Sequence, residues 1–89
     1  MNSRHKSRKD VGVRLSKIEG HIRGIRKMVE EDRECPELLI QMAAVRSALD
    51  RVARIVLEDH METCLVEAVN SGKADASLAQ LKEALSKFL

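Results

Sequence analysis

From Val11 onward, apolar residues recur at alternating intervals of four and three: Val11, Leu15, Ile18, Ile22, Ile25 and Val29. A heptad spacing sustained this long marks an amphipathic helix with a seam for another helix. It predicts a first helix from about Lys9 to Glu31. Gly20 and Gly24 lie one turn apart on it, where they either admit a close helix neighbour or weaken the helix. The acidic segment EEDRE ends the pattern. Cys35-Pro36 opens the next element. Proline is favoured at the first helical position, so Cys35 is expected to cap the second helix. There Leu38, Met42, Val45, Leu49, Val52 and Val56 repeat the alternation, and a second stripe through Ala44, Ala48, Ile55 and Leu65 widens the apolar face. No proline or glycine interrupts the run before Gly72, so the second helix is expected to continue from Pro36 to about Val69. Helices average about 11–12 residues, so this one is long. NSGKAD breaks the chain again. A third helix, Ala76 to Lys87, carries Leu78, Leu81 and Leu85 on one side, with Phe88 just beyond.

The pattern implies an all-α fold, a three-helix protomer with two long helices and a short third. Residues 9–89 read as a single helical domain behind a flexible basic arm, residues 1–8. A chain this short buries too little surface to rely on a single core. Phe88 is its only aromatic residue, so the core is aliphatic. The seam of the second helix is nearly symmetric about Leu49, with Met42 mirrored by Val56 and Val45 by Val52. Such a seam pairs with an antiparallel copy of itself. The expected unit is therefore a four-helix-bundle homodimer, and a dimer-of-dimers homotetramer beyond it.

The net charge of +2 hides an asymmetry. Residues 1–29 hold nine Lys or Arg against two acids, and the other sixty residues hold seven against twelve. A basic first third calls for a polyanionic partner, although charge alone equally fits a solvated helix face with a basic tail. With no aromatic residue near the basic region, base stacking on a single strand is disfavoured and duplex is the better partner. The basic start leads into an amphipathic pattern, not an apolar signal segment. No apolar run nears the roughly 18 residues of a membrane span. The chain reads as cytoplasmic with no membrane partner. In that compartment two cysteines are thiols, metal ligands or redox sensors rather than a structural bridge. No nucleophile, base and oxyanion constellation is present, so the reading is not an enzyme.

The chemistry concentrates in LEDHMETCL, residues 57–65. His60 and Cys64, four apart on a helix, project from one face about 5–6 Å from each other. Two ligands rarely suffice, and the remaining thiol is Cys35. At 1.5 Å per residue an unbroken helix holds Cys35 roughly 40 Å from Cys64, far beyond metal–ligand bonds of about 2.0–2.3 Å. In an antiparallel dimer, Cys35 of one chain comes opposite residues 60–64 of the other. The expected site is thus intersubunit: Cys35 with His60 and Cys64 of the partner. Two thiolates and an imidazole form a soft three-donor set that favours Cu(I). Taken singly, a helical cysteine is more often a small buried hydrophobe and His60 a surface residue; the joint geometry tips the balance. His5 in the basic arm is a possible additional ligand, and His21 reads as a helix-face residue.

RLSKIEGHIRGIRKMVEE, CPELLIQMAAVRSALDRV and LEDHMETCL, with the Cys-x24-His-x3-Cys spacing, resemble the CsoR-type metal- and sulfur-responsive repressors along nearly the whole chain. The resemblance implies a helical dimer assembling into a disc-like tetramer. It implies a repressor that binds operator DNA through basic helix faces without a helix-turn-helix. Copper members bind Cu(I) through a Cys-His-Cys set matching Cys35, His60 and Cys64, and then release DNA. Relatives sense nickel, cobalt or formaldehyde with altered ligands, and some sense persulfide through two cysteines. Copper members also surround the histidine with a Tyr before the first cysteine and a Glu on the third helix. Here Glu34 precedes Cys35, the chain has no Tyr, and Gln80 aligns with that Glu while Glu83 lies one turn away.

Candidate phosphate contacts are Arg14, Lys17, Arg23, Arg26 and Lys27 on the first helix and Arg51 on the second, with Arg54 beside it. The resemblance points most directly to Arg14 and Arg51. The expected function is repression in the apo form, with release of double-stranded operator DNA on Cu(I) binding. Alternatives within the fold are a Ni(II) sensor, or a persulfide sensor using Cys35 and Cys64 without a metal. A different class would be a cytosolic copper chaperone or buffer, which would need no operator.

Overall fold

The first heptad seam folds into α1, Arg8–Glu30, and the second into α2, Cys35–Asp59. They belong to a computed structural model that describes residues 7–61, 66–72 and 74–88, all of them in helices, turns or short connections. Two shorter helices follow, α3 (Val66–Asn70) and α4 (Ala74–Phe88).

The turn between α1 and α2 is specified by backbone geometry. Asp32 takes a left-handed conformation, φ 59°. This directs the Arg33 N–H back to the Met28 carbonyl at 3.0 Å and the Asp32 N–H to the Val29 carbonyl at 3.1 Å. The paired bonds satisfy carbonyls that the end of α1 would otherwise leave open, an arrangement usually built around glycine. At the start of α2 the Leu38 N–H donates to the Glu34 carbonyl at 3.2 Å. Glu34 is therefore the capping residue and Cys35 is already helical, one position from the expectation. Pro36 then falls at the second helical position, where a missing N–H costs nothing because the first turn has no intrahelical acceptor for it.

The expected continuation of the second helix to Val69 crosses residues 62–65, which lie outside the described residues. Regular α-helix ends at Asp59, and the chain widens into a π-type turn at His60 and Met61. Neither proline nor glycine marks the place, so hydrophobic spacing could not locate it. Among the described residues there are four helical segments, three of them long. The break at Gly72 is as expected: it carries φ 80°, and its N–H donates to the Val69 carbonyl at 3.2 Å, closing α3. Glycine is needed there because a Cβ strongly disfavours that region.

The chain divides into two compact units, Ser7–Val56 and a second beginning at Leu57. In the second, α3 buries Ala68. In the first, α1 and α2 pack around Val11, Ile18 and Val52, with Val45, Ala48, Ile55 and Val56 against them. The helices run antiparallel: early α1 meets late α2, while His21 reaches Gln41 nearer the start of α2. Only alternate seam positions are used. Ile18 is 8% exposed and Val52 5%, whereas Ile22 is 51% exposed and Leu49 44%. Gly20 and Gly24 do not serve close packing in the protomer. An added Cβ at Gly20 would meet only the Arg23 guanidinium at 3.6 Å, and one at Gly24 would meet nothing within 4 Å.

Because Asp32 holds a left-handed conformation that costs most L-residues about 1–2 kcal/mol, Asp32→Gly is expected to raise stability by about 0.5–1 kcal/mol, since glycine is the preferred residue at this cap. Urea titration followed by circular dichroism checks this. An unchanged or lower midpoint would show that the Asp32 side chain offsets the backbone cost.

Candidate functional site

A groove of about 480 Å³ opens between α1 and α2 within the first unit. α1 contributes Asp10, Arg14, Lys17 and His21, and α2 contributes Ser47 and Arg51, over a floor that includes Ile18 and Ala48. The spacing explains the convergence. Residues 10, 14, 17 and 21 repeat at helical intervals and share one face, and the antiparallel packing lays Arg51 opposite that face. Three cations thereby face one carboxylate. Asp10 is not idle, since the Arg14 Nε donates to its Oδ2 at 3.0 Å.

Of the basic residues expected to contact phosphate, the groove unites Arg14, Lys17 and Arg51 and leaves out Arg23, Arg26 and Lys27, which are exposed elsewhere on α1. Lys27 lies in the last turn of α1, where a cation complements the helix dipole. His21 departs from its reading as a plain face residue. It is half-buried, and its Nε2 stands 2.7 Å from Gln41 Oε1. A carboxamide oxygen only accepts, so Nε2–H donates, tying α1 to α2 beside the groove. Heptad spacing identified neither Gln41 nor Asp10. Their signal was pairing: a polar residue next to each seam, and an acid four positions before an arginine.

The metal-ligand candidates lie elsewhere. Cys35 is the first residue of α2 and its thiol is exposed. Around it Arg33 Nε donates to Glu37 Oε1 at 2.8 Å, and the Arg33 Nη1 lies 3.9 Å from Glu31 Oε1. The hydrogen bond that Arg33 donates to Glu37 chiefly, with that carboxylate's charge, raises the Arg33 pKa. Glu34, exposed beside Cys35, contributes its carbonyl to the start of the helix. α2 has 25 residues, so it is about 37 Å long at 1.5 Å per residue. Asp59 ends it, buried, and half-buried His60 follows directly.

Cys64 and His5 lie outside the described residues. Among the described residues, no three His, Cys, Asp or Glu side chains gather into a metal site. On α4, Gln80 is exposed, and Glu83 Oε2 lies 3.7 Å from Lys87 Nζ. The donor chemistry fits a soft cation: an exposed thiol and a half-buried imidazole are borderline-to-soft ligands, and no carboxylate cage suited to Mg(II) or Ca(II) is present among the described residues. No described helix is long and apolar enough to cross a membrane.

Known proteins resemble this chain in sequence and in fold. The chain is 41% identical over 87 residues to the copper-sensing transcriptional repressor CsoR of Bacillus subtilis, spanning 94% of this chain and 86% of that one. It is 41% identical over 78 residues to the copper-sensing repressor RicR of Mycobacterium tuberculosis, spanning 85% and 81%. Among solved structures, the Cu(I)-bound copper-sensing repressor CsoR of Geobacillus thermodenitrificans superposes with a TM-score of 0.88 at 35% identity, covering 93% of this chain and 86% of that one. The nickel-responsive transcriptional regulator InrS superposes with a TM-score of 0.79 at 56% identity, covering 96% of both chains. The sequence profile of the metal-sensitive transcriptional repressors matches residues 7–87, and this chain belongs to that family.

Proposed function

We propose that this metal-sensitive transcriptional repressor docks its α1–α2 groove on the backbone of double-stranded operator DNA in the cytoplasm and lets go when a soft metal ion joins Cys35 of one protomer to His60 and Cys64 of another. The observation that carries the reading is the length of α2, which keeps Cys35 at one end and His60 just past the other. A ligand set drawn from both ends needs a second copy.

The exposed half of the seam supports that copy. Leu15, Ile22 and Val29 on α1, with Met42 and Leu49 on α2, are large apolar side chains left in water by the protomer. Covering them in an antiparallel four-helix bundle removes that apolar area from water. Such a dimer carries two equivalent sites, and pairing of dimers gives the tetramer. Glu34, Gln80 and Glu83 are the candidates to surround the ligands and orient His60.

The bound ion supplies bonds that draw the two protomers together. The chain's own residues do the rest: Arg14, Lys17 and Arg51 hold phosphates, and the α1–α2 packing fixes how far apart they stand. Coupling between two such sites is typically about 1–3 kcal/mol. Two thiolates and one imidazole favour three-coordinate Cu(I). A second reading, Ni(II), is favoured by the 56% identity to a nickel-responsive regulator, with His5 as a further nitrogen donor.

If the groove takes phosphate, Arg51→Ala weakens operator and non-operator duplex alike. It also flattens the dependence of log K on log salt by about 0.9 for each phosphate that is no longer neutralised. Fluorescence anisotropy across a salt series measures both.

Cys35→Ala and His60→Ala are each expected to bind operator normally and to ignore the metal. Mixed and refolded together, they regain metal-driven release, because a mixed dimer holds one complete site. If the mixture stays unresponsive while wild type responds, the ligands do not come from two protomers.

Anaerobic titration of labelled operator complex with Cu(I) and with Ni(II) decides the inducer. Release by Cu(I), with His5→Ala unaffected, supports the three-donor set. Release by Ni(II) alone, lost in His5→Ala, would replace it.

A further inference from the structure

The groove proposed to hold DNA contains one carboxylate that works against it. Asp10, in the first turn of α1, lies 3.0 Å from the Arg14 Nε, and both residues line the groove with Lys17 and Arg51. An arginine fork meets a phosphate either along its Nε edge or end-on through its two Nη groups. With Nε given to Asp10, the side-on edge is closed and only the end-on approach remains. The pair is solvent-exposed, Arg14 at 39% and Asp10 at 55% of the side chain, and exposed pairs of this kind are weak. A well-seated phosphate can therefore displace the carboxylate, while a poorly seated one cannot.

We propose that Asp10 is a specificity-determining residue: an internal competitor that keeps Arg14 from contacting phosphate on non-operator duplex and yields only where the operator's backbone fits the groove. The inference rests on the groove being the DNA-binding surface. The carboxylate lowers affinity for every duplex, but it does so most where the backbone fit is poorest. Its role is discrimination rather than grip.

The test compares wild type, Asp10→Asn and Asp10→Ala on operator and on non-operator duplex of equal length, in wild-type and Arg14→Gln backgrounds, across 50–200 mM salt. Asparagine retains an acceptor for Nε but no charge, and alanine removes both. Non-operator affinity is expected to rise from wild type to Asp10→Asn to Asp10→Ala, with operator affinity rising less. The non-operator salt slope is expected to steepen by about 0.9 per groove engaged, so the gain shrinks about 3.5-fold between 50 and 200 mM. In the Arg14→Gln background the gain disappears. Glu19→Gln, an exposed acid of α1 outside the groove, serves as the control for net charge and leaves the operator preference unchanged.

Three outcomes would overturn the inference alone: equal gains on both duplexes, a gain that persists without Arg14, or weaker binding to both. If Arg14→Gln by itself leaves operator affinity and salt slope untouched, the groove is not the DNA surface, and that reading fails together with the inference.

Discussion

A straight α-helix cannot fold back on itself, and that constraint organises this protein. Cys35 begins α2, and the turn containing His60 begins where α2 ends, 25 residues later. Helix rise alone places about 37 Å between the ends. In the proposed function, chemistry shared by the two ends therefore passes between molecules. The same rigidity serves the groove, since Arg51 sits on the rod that carries Cys35 and is held opposite Arg14 and Lys17 by packing around Ile18 and Val52.

The packing is economical in a particular way. A heptad seam offers two sets of positions, and the protomer uses one. Val11, Ile18 and Ile25 are buried while Leu15, Ile22 and Val29 stay exposed, although all six belong to one periodic pattern. A small chain with an aliphatic core gains little from such partial burial. The remaining set is the surface that the proposed second copy would cover. The polar tie from His21 to Gln41 lies beside this stripe, next to the groove.

The groove and the thiol end differ electrically. The groove gathers Arg14, Lys17 and Arg51 around Asp10, whereas Cys35 lies among Glu31, Glu34 and Glu37 with Arg33 bound to Glu37. The basic first third of the chain and the acidic remainder, visible as a charge asymmetry, thus differ in local charge around the groove and around Cys35. The proposed function assigns polyanion contact to the first and a cation to the second.

Much of this was legible in the residues. The four-three spacing set α1 to within one residue at each end, and it set the start of α2 to within one, because apolar period and helical period are the same physical fact. NSGKAD marked the turn at Gly72 because glycine alone takes that backbone conformation readily. The separation of Cys35 from His60 followed from counting. Three things needed tertiary structure. The π-type turn at His60 and Met61 leaves no mark in composition. The choice of Arg14, Lys17 and Arg51 over Arg23, Arg26 and Lys27 depends on which face of α1 the second helix covers. The bonds from Arg14 to Asp10 and from His21 to Gln41 depend on side-chain reach. Periodicity determines that a helix has a face; only packing against a neighbour decides which polar residues end up facing one another.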